Sequence, residues 1–96
     1  MAAAIGVLTL EIHLVDSQSL KDKRHYVLGL KERLKSRFNL SVAEIEDQDL
    51  QNHSVIAAVT ISPSRDYAEG VLRHAENLAA EFLGPYLVSA HVDWLA

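Results

Sequence analysis

The sequence predicts one α+β domain whose four strands and two helices follow the order β-α-β-β-α-β. Three observations predict it. Residues 5–15 alternate with period two, two apolar stripes at helical spacing run from Leu20 to Phe38 and from Ala68 to Phe82, and a polar hexapeptide, residues 47–52, separates two β-rich runs. At 96 residues the chain has the length of a single unit, 1–96, with no internal repeat, low-complexity tract or linker.

In the first strand Leu8, Leu10, Ile12 and Leu14 share one face, and Val7, Thr9, Glu11 and His13 the other. Asp16-Ser17-Gln18 reads as a turn. Ser19 followed by Asp22 reads as a capping box that opens a helix. Its stripe is Leu20, Val27, Leu30, Leu34 and Phe38, with Asn39 as the expected end. A second strand is expected over Leu40 to Glu46 and a third over Val55 to Ile61. A polar link that short between them makes an antiparallel hairpin.

Ser62-Pro63 is expected to open the second helix, with the proline in its first turn. The stripe Ala68, Val71, Leu72, Ala75, Leu78, Ala79 and Phe82 follows, stopped by Gly84-Pro85. Tyr86 to Leu95 completes the set as a strand with Val88, Ala90, Val92 and Trp94 on one face. Right-handed crossovers put both helices on one side of a four-stranded antiparallel sheet of order 4-1-3-2. That is the ferredoxin-like arrangement. Parity assigns the uncovered face to Thr9, Glu11, His13, Ser89, His91 and Asp93, with Ile56, Ala58 and Thr60 outward on the third strand.

Charge is distributed unevenly. The net formal charge is −4, which opposes general nucleic-acid binding. Yet seven of the nine Lys and Arg lie between Lys21 and Arg37, against only Asp22 and Glu32, a net +5. The remainder carries two bases and eleven acids, a net −9. Lys21, Lys23 and Arg24 crowd a helix start, where the unpaired N–H groups already carry positive potential and favour acids or anions. Two readings stay open. Phosphate contact through Lys21, Lys23, Arg24, Lys31 and Lys35 is the functional one. Neutralisation by Glu46, Asp47 and Asp49, at the same edge of the sheet, is the structural one. For Lys23, which falls on the core stripe between Leu30 and Leu34, internal pairing or a snorkelling ammonium is the stronger reading.

Other chemistry finds little support. The chain has no cysteine, which removes disulfides, thiolate metal sites and cysteine nucleophiles together. No nucleophile elbow, glycine-rich phosphate loop or metal-helix motif occurs. Neither a catalytic residue, a cofactor, a metal ligand nor a small-molecule substrate is therefore expected. Glu11, His13, His91 and Asp93 sit on neighbouring strands and have ligating side chains, but they match no metal motif, and a solvated or interface face is the better reading. His25, His53 and His74 suggest nothing. No aromatic faces outward on the two central strands, so base stacking of the RNA-recognition-motif type is not expected. No apolar run has the length of a membrane span, and Met1-Ala2-Ala3-Ala4 lacks a basic leader region, so a cytoplasmic location is the expectation.

Several stretches carry a family resemblance: Glu11-Ile12-His13-Leu14, Ser19-Leu20-Lys21-Asp22-Lys23-Arg24, Phe38-Asn39-Leu40-Ser41-Val42-Ala43-Glu44, Gln48-Asp49-Leu50 and Trp94-Leu95. They resemble the YlxP-like family of small bacterial domains over nearly the whole chain. Asp93 departs from the family's usual Glu before the Trp, and Gln51-Asn52 lacks its usual aromatic after Leu50. The resemblance implies the ferredoxin-like fold and no established activity. Members' genes tend to sit beside translation-initiation and ribosome-maturation genes. With the basic helix, that leads to a non-enzymatic accessory domain contacting structured RNA or a ribosomal subunit. The alternative is a homodimeric interaction module using the last, edge strand or the open sheet face. A metal-dependent enzyme is a distant third.

Overall fold

A computed structural model describes residues 3–96; Met1 and Ala2 lie outside the described residues. The elements are β1 (Ala4–His13), α1 (Leu20–Arg37), β2 (Ser41–Glu46), β3 (His53–Ser62), α2 (Arg65–Leu83), a 3-10 turn over Gly84–Tyr86, and β4 (Leu87–Trp94). The strands pair antiparallel in the order β2-β3-β1-β4, the expected 4-1-3-2 sheet read from its other edge. Both helices pack on one face. Leu8, Leu10 and Ile12 of β1 and Ile56 and Ala58 of β3 are closed over by Val27, Leu30 and Leu34 of α1 and by Leu72, Ala75 and Ala79 of α2.

Each helix is fastened at its start by a serine. The Ser19 hydroxyl accepts from the Asp22 N–H at 3.2 Å, and the Asp22 carboxylate reaches back to the Gln18 N–H at 3.1 Å. Ser64, not Pro63, begins α2, its hydroxyl accepting from the Tyr67 N–H. Ser62 stays in β3, so Pro63 lies before the cap and not in the first turn. The first helix ends at Arg37 and is capped by Phe38, whose N–H donates to the Leu34 carbonyl, one residue before the expected Asn39. Leu20 is exposed, and the inward row of α1 is Lys23, Val27, Leu30 and Leu34.

The third strand corrects the assignment of faces. Ser54, Ile56, Ala58 and Thr60 are buried beneath the helices, and Val55, Ala57, Val59 and Ile61 face outward. The inner hydroxyls find partners: Ser54 donates to Glu44 at 2.6 Å and Thr60 to the Asn39 carbonyl at 2.9 Å. Two bulges change what the edge strands present. Between the pairs Glu44–Ile56 and Glu46–Val55, β2 holds an extra Ile45, so Glu44 points under α1 while Glu46 turns to the open face. Between Glu11–Ser89 and Ile12–Leu87, β4 holds an extra Val88, which is exposed where the expected alternation placed it with Ala90 and Trp94. Gly6 is required by a close approach: a Cβ there would lie 2.6 Å from Leu72 Cδ1 and 2.9 Å from the Trp94 ring.

Candidate functional site

The basic start of α1 is built around a buried ammonium. Lys23 has no exposed surface. Its Nζ donates to the carbonyls of Asp47 at 2.5 Å, His53 at 3.1 Å and Gln48 at 3.2 Å, and lies 3.1 Å from Glu44 Oε2. A buried charge is tolerated only when paired and hydrogen-bonded, and both conditions hold here. Asp47 makes the cage possible by adopting a left-handed backbone (φ 59°), which aspartate tolerates better than most residues. The other oxygen of Glu44 pairs with Arg24, which also reaches the Gln48 carbonyl. Burial would raise the Glu44 carboxyl, but hydrogen bonds from Ser54, Arg24 and Lys23 outweigh it and hold the group below the usual carboxylate range.

This geometry revises the candidate phosphate contacts. Lys23 has no surface to offer a phosphate and is a structural cation. Arg24 is half spent on Glu44. Neutralisation of the helix start comes from Glu44 and the carbonyls of Asp47 and Gln48, and not from the carboxylates of Glu46, Asp47 and Asp49. Lys21, Lys31 and Lys35 have no ion-pair partner among the described residues. With Arg24 and Leu28 they form one flank of α1, at the i, i+4, i+7 and i+11 spacing of residues 24, 28, 31 and 35. Arg33 lies on the opposite flank, against α2, its guanidinium 4.1 Å over the Phe82 ring.

Thr9, Glu11, Ser89, His91 and Asp93 do share the open face, Thr9 opposite His91 and Glu11 opposite Ser89. Glu11, His13, His91 and Asp93 do not converge. His91 pairs with Asp93 at 3.1 Å, whereas Glu11 turns to His53 on the neighbouring strand. Among the described residues, no group of three His, Asp or Glu side chains is arranged to hold a metal ion.

His53, which suggests nothing in the sequence, is the best-connected imidazole. Its Nε2 meets Glu11 at 2.8 Å, its Nδ1 meets Asp47, and its ring stands edge-on to His13 at 6.4 Å. The Glu11 hydrogen bond raises its pKa above the ordinary 6.5, against burial and with support from Asp47. With both nitrogens bonded to carboxylates, the ring has no free lone pair for proton abstraction. It acts as a clamp between β1 and the β2–β3 link.

A raised folded pKa means this stabilisation is complete below the unfolded value of 6.5 and is lost as pH rises through the folded value. Urea denaturation at about pH 6 and about pH 8.5 should therefore show a drop at the higher pH that His53→Gln removes. An identical drop in the variant would show that the clamp contributes nothing.

The family pattern of a protein of unknown function, DUF503, matches residues 5–92. No functionally curated protein matches the chain. Solved structures share its fold at low identity. The de novo designed protein Foldit4 is 7% identical over 98% of this chain and 97% of its own, with a TM-score of 0.62. A dimeric ferredoxin-like protein of unknown function from Thermobifida fusca is 13% identical over 96% and 91%, with a TM-score of 0.52. SnoaB, a cofactor-independent oxygenase from Streptomyces nogalater, is 12% identical over 100% and 93%, with a TM-score of 0.53. At these identities the likeness is one of fold, and it agrees with the element order and sheet described above. The chain belongs to the DUF503 family of proteins of unknown function, and its domain is ferredoxin-like.

Proposed function

We propose that this DUF503 domain is a non-catalytic interaction module that pairs with a second copy of itself through the open sheet face. The observation that carries the reading is an apolar tract on that face, Ile5, Val7, Val55, Ala57, Val59 and Ile61, which no element among the described residues covers. A second copy suits it because the surrounding polar groups are of both signs. Glu11 with His53, and His91 with Asp93, give each copy the partners an isologous contact requires. Among the described residues no Lys or Arg lies on any strand, so the face offers no fixed cation to a phosphate backbone. Both sheet edges are bulged, at Ile45 and at Val88, which disfavours strand addition. The Thermobifida fusca relative in fold is itself dimeric, which supports the reading. Sedimentation velocity over a range of concentrations tests it: a dimer is expected, and a concentration-independent monomer would overturn it.

A second reading follows from the unpaired lysines. Lys21, Lys31 and Lys35, with Arg24, form a basic flank suited to structured RNA or a ribosomal surface, in keeping with the YlxP-like resemblance. Co-sedimentation with ribosomal subunits should then weaken steeply with salt. Changing Lys21, Lys31 and Lys35 together to Gln should flatten that slope, while Arg65→Gln and Arg73→Gln should not. Absence of any salt-sensitive association would end this reading.

A further inference from the structure

We propose that the groove between α1 and α2 binds a phosphate monoester that carries a flat ring and hydroxyl groups, of mononucleotide size. The groove has a volume of about 730 Å³ and is lined chiefly by Arg33, Arg37, Phe38, His74, Glu81 and Phe82. Small-molecule sites fall at about 300–1,000 Å³. It lies on the helical side, away from the open sheet face and from the Lys21–Lys35 flank, so it is independent of both readings above.

The groove carries an aromatic platform and an unspent charge. Arg33 is fixed in place: its guanidinium lies 4.1 Å over the Phe82 ring, and its Nη1 donates to the Gly29 carbonyl at 3.1 Å. Guanidinium groups and aromatic rings both stack planar rings, and Arg33 and Phe82 bring one of each to the groove. Arg37 lines the same groove and forms no ion pair among the described residues, neither with Glu81 of the same lining nor with any other acid. A free guanidinium fork matches phosphate oxygens in pairs. His74 and Asn77, also in the lining, add hydrogen-bond donors. Glu81 would repel a bare anion, so the ligand must bring a donor to it, and a sugar hydroxyl does so. An anion, a flat ring and a hydroxyl together describe a nucleoside monophosphate better than inorganic phosphate or an apolar ligand.

Backbone-amide NMR of the full chain, titrated with adenosine and guanosine monophosphates and separately with inorganic phosphate, tests the proposal. At least one nucleotide should give saturable shifts around Arg33, Arg37, His74 and Asn77, and should bind about tenfold more tightly than phosphate alone. Arg37→Gln should weaken that binding about tenfold. Arg33→Lys, which keeps the charge and loses the plane, should cancel the advantage over inorganic phosphate. Arg65→Gln, at the start of α2 and outside the lining, should change nothing. The dispersion of each variant's spectrum reports whether it is folded. Absence of saturable shifts at millimolar nucleotide, shifts confined to the Lys21–Lys35 flank, equal binding of phosphate and nucleotide, or full affinity in a folded Arg37→Gln would each overturn the proposal.

Discussion

Lys23→Ala is expected to cost about 3–5 kcal/mol of stability, as breaking a buried, hydrogen-bonded ion pair does. The fully buried ammonium holds three carbonyls, of Asp47, Gln48 and His53, and one oxygen of Glu44. Truncation strips a donor from all four at once and leaves a cavity where the stem lay. Small domains are stable by only about 5–15 kcal/mol, so this is a large share. Lys23→Met separates the two causes, because it restores most of the stem's volume without the charge. If the cage matters, Met should recover only the packing part, and hydrogen exchange should quicken across the 47–52 link. Urea denaturation measures both variants. A loss below about 1 kcal/mol for Lys23→Ala would refute the cage as a stabilising feature.

The legible parts of the fold are those where one face is apolar and the other polar. Leu8, Leu10 and Ile12 against Thr9, Glu11 and His13 define the buried face of β1 without ambiguity, and the element order then leads to the sheet. The third strand defeats the same reasoning. It is apolar on both sides, with Ser54 and Thr60 inside and Val55, Val59 and Ile61 outside, so alternation carries no sign. Bulges are invisible to period-2 counting, so alternation places Val88 inward with Ala90 and Trp94 and does not separate the face of Glu44 from that of Glu46.

The position of Lys23 on the core stripe is readable from helical spacing. The destination of its ammonium is not, because the cage depends on the left-handed backbone at Asp47 and on carbonyls that no side-chain pattern reports. His53 escapes for a related reason. It begins a strand after an aperiodic link, and its partners Glu11 and Asp47 stand 42 and 6 residues away in sequence. The groove at Arg33 and Arg37 needs the second helix before it exists at all. From the sequence, those two arginines are only two of the seven bases between Lys21 and Arg37, flanking the apolar stripe as a solvated helix does.

Val59→Lys is expected to convert the dimer to a monomer without unfolding it. Val59 lies on the open face between Ser41 and Val7, half-buried in the isolated chain. A lysine there can run its stem along the sheet and keep its ammonium in water, so the monomer should tolerate it. Within an interface between two such faces, the ammonium would be desolvated against valines with no acid directly opposite. The isologous arrangement makes each substitution act twice. Dissociation should strengthen by at least about 100-fold, which corresponds to about 2.7 kcal/mol. Far-UV circular dichroism should stay unchanged while sedimentation shifts to the monomer. Ala90→Pro, which withdraws a backbone donor from β4, separates face from edge. If that variant stays folded and dimeric while Val59→Lys is monomeric, the contact is through the face. If instead the folded proline variant dissociates and Val59→Lys remains a dimer, the contact is edge to edge and the apolar tract has another role.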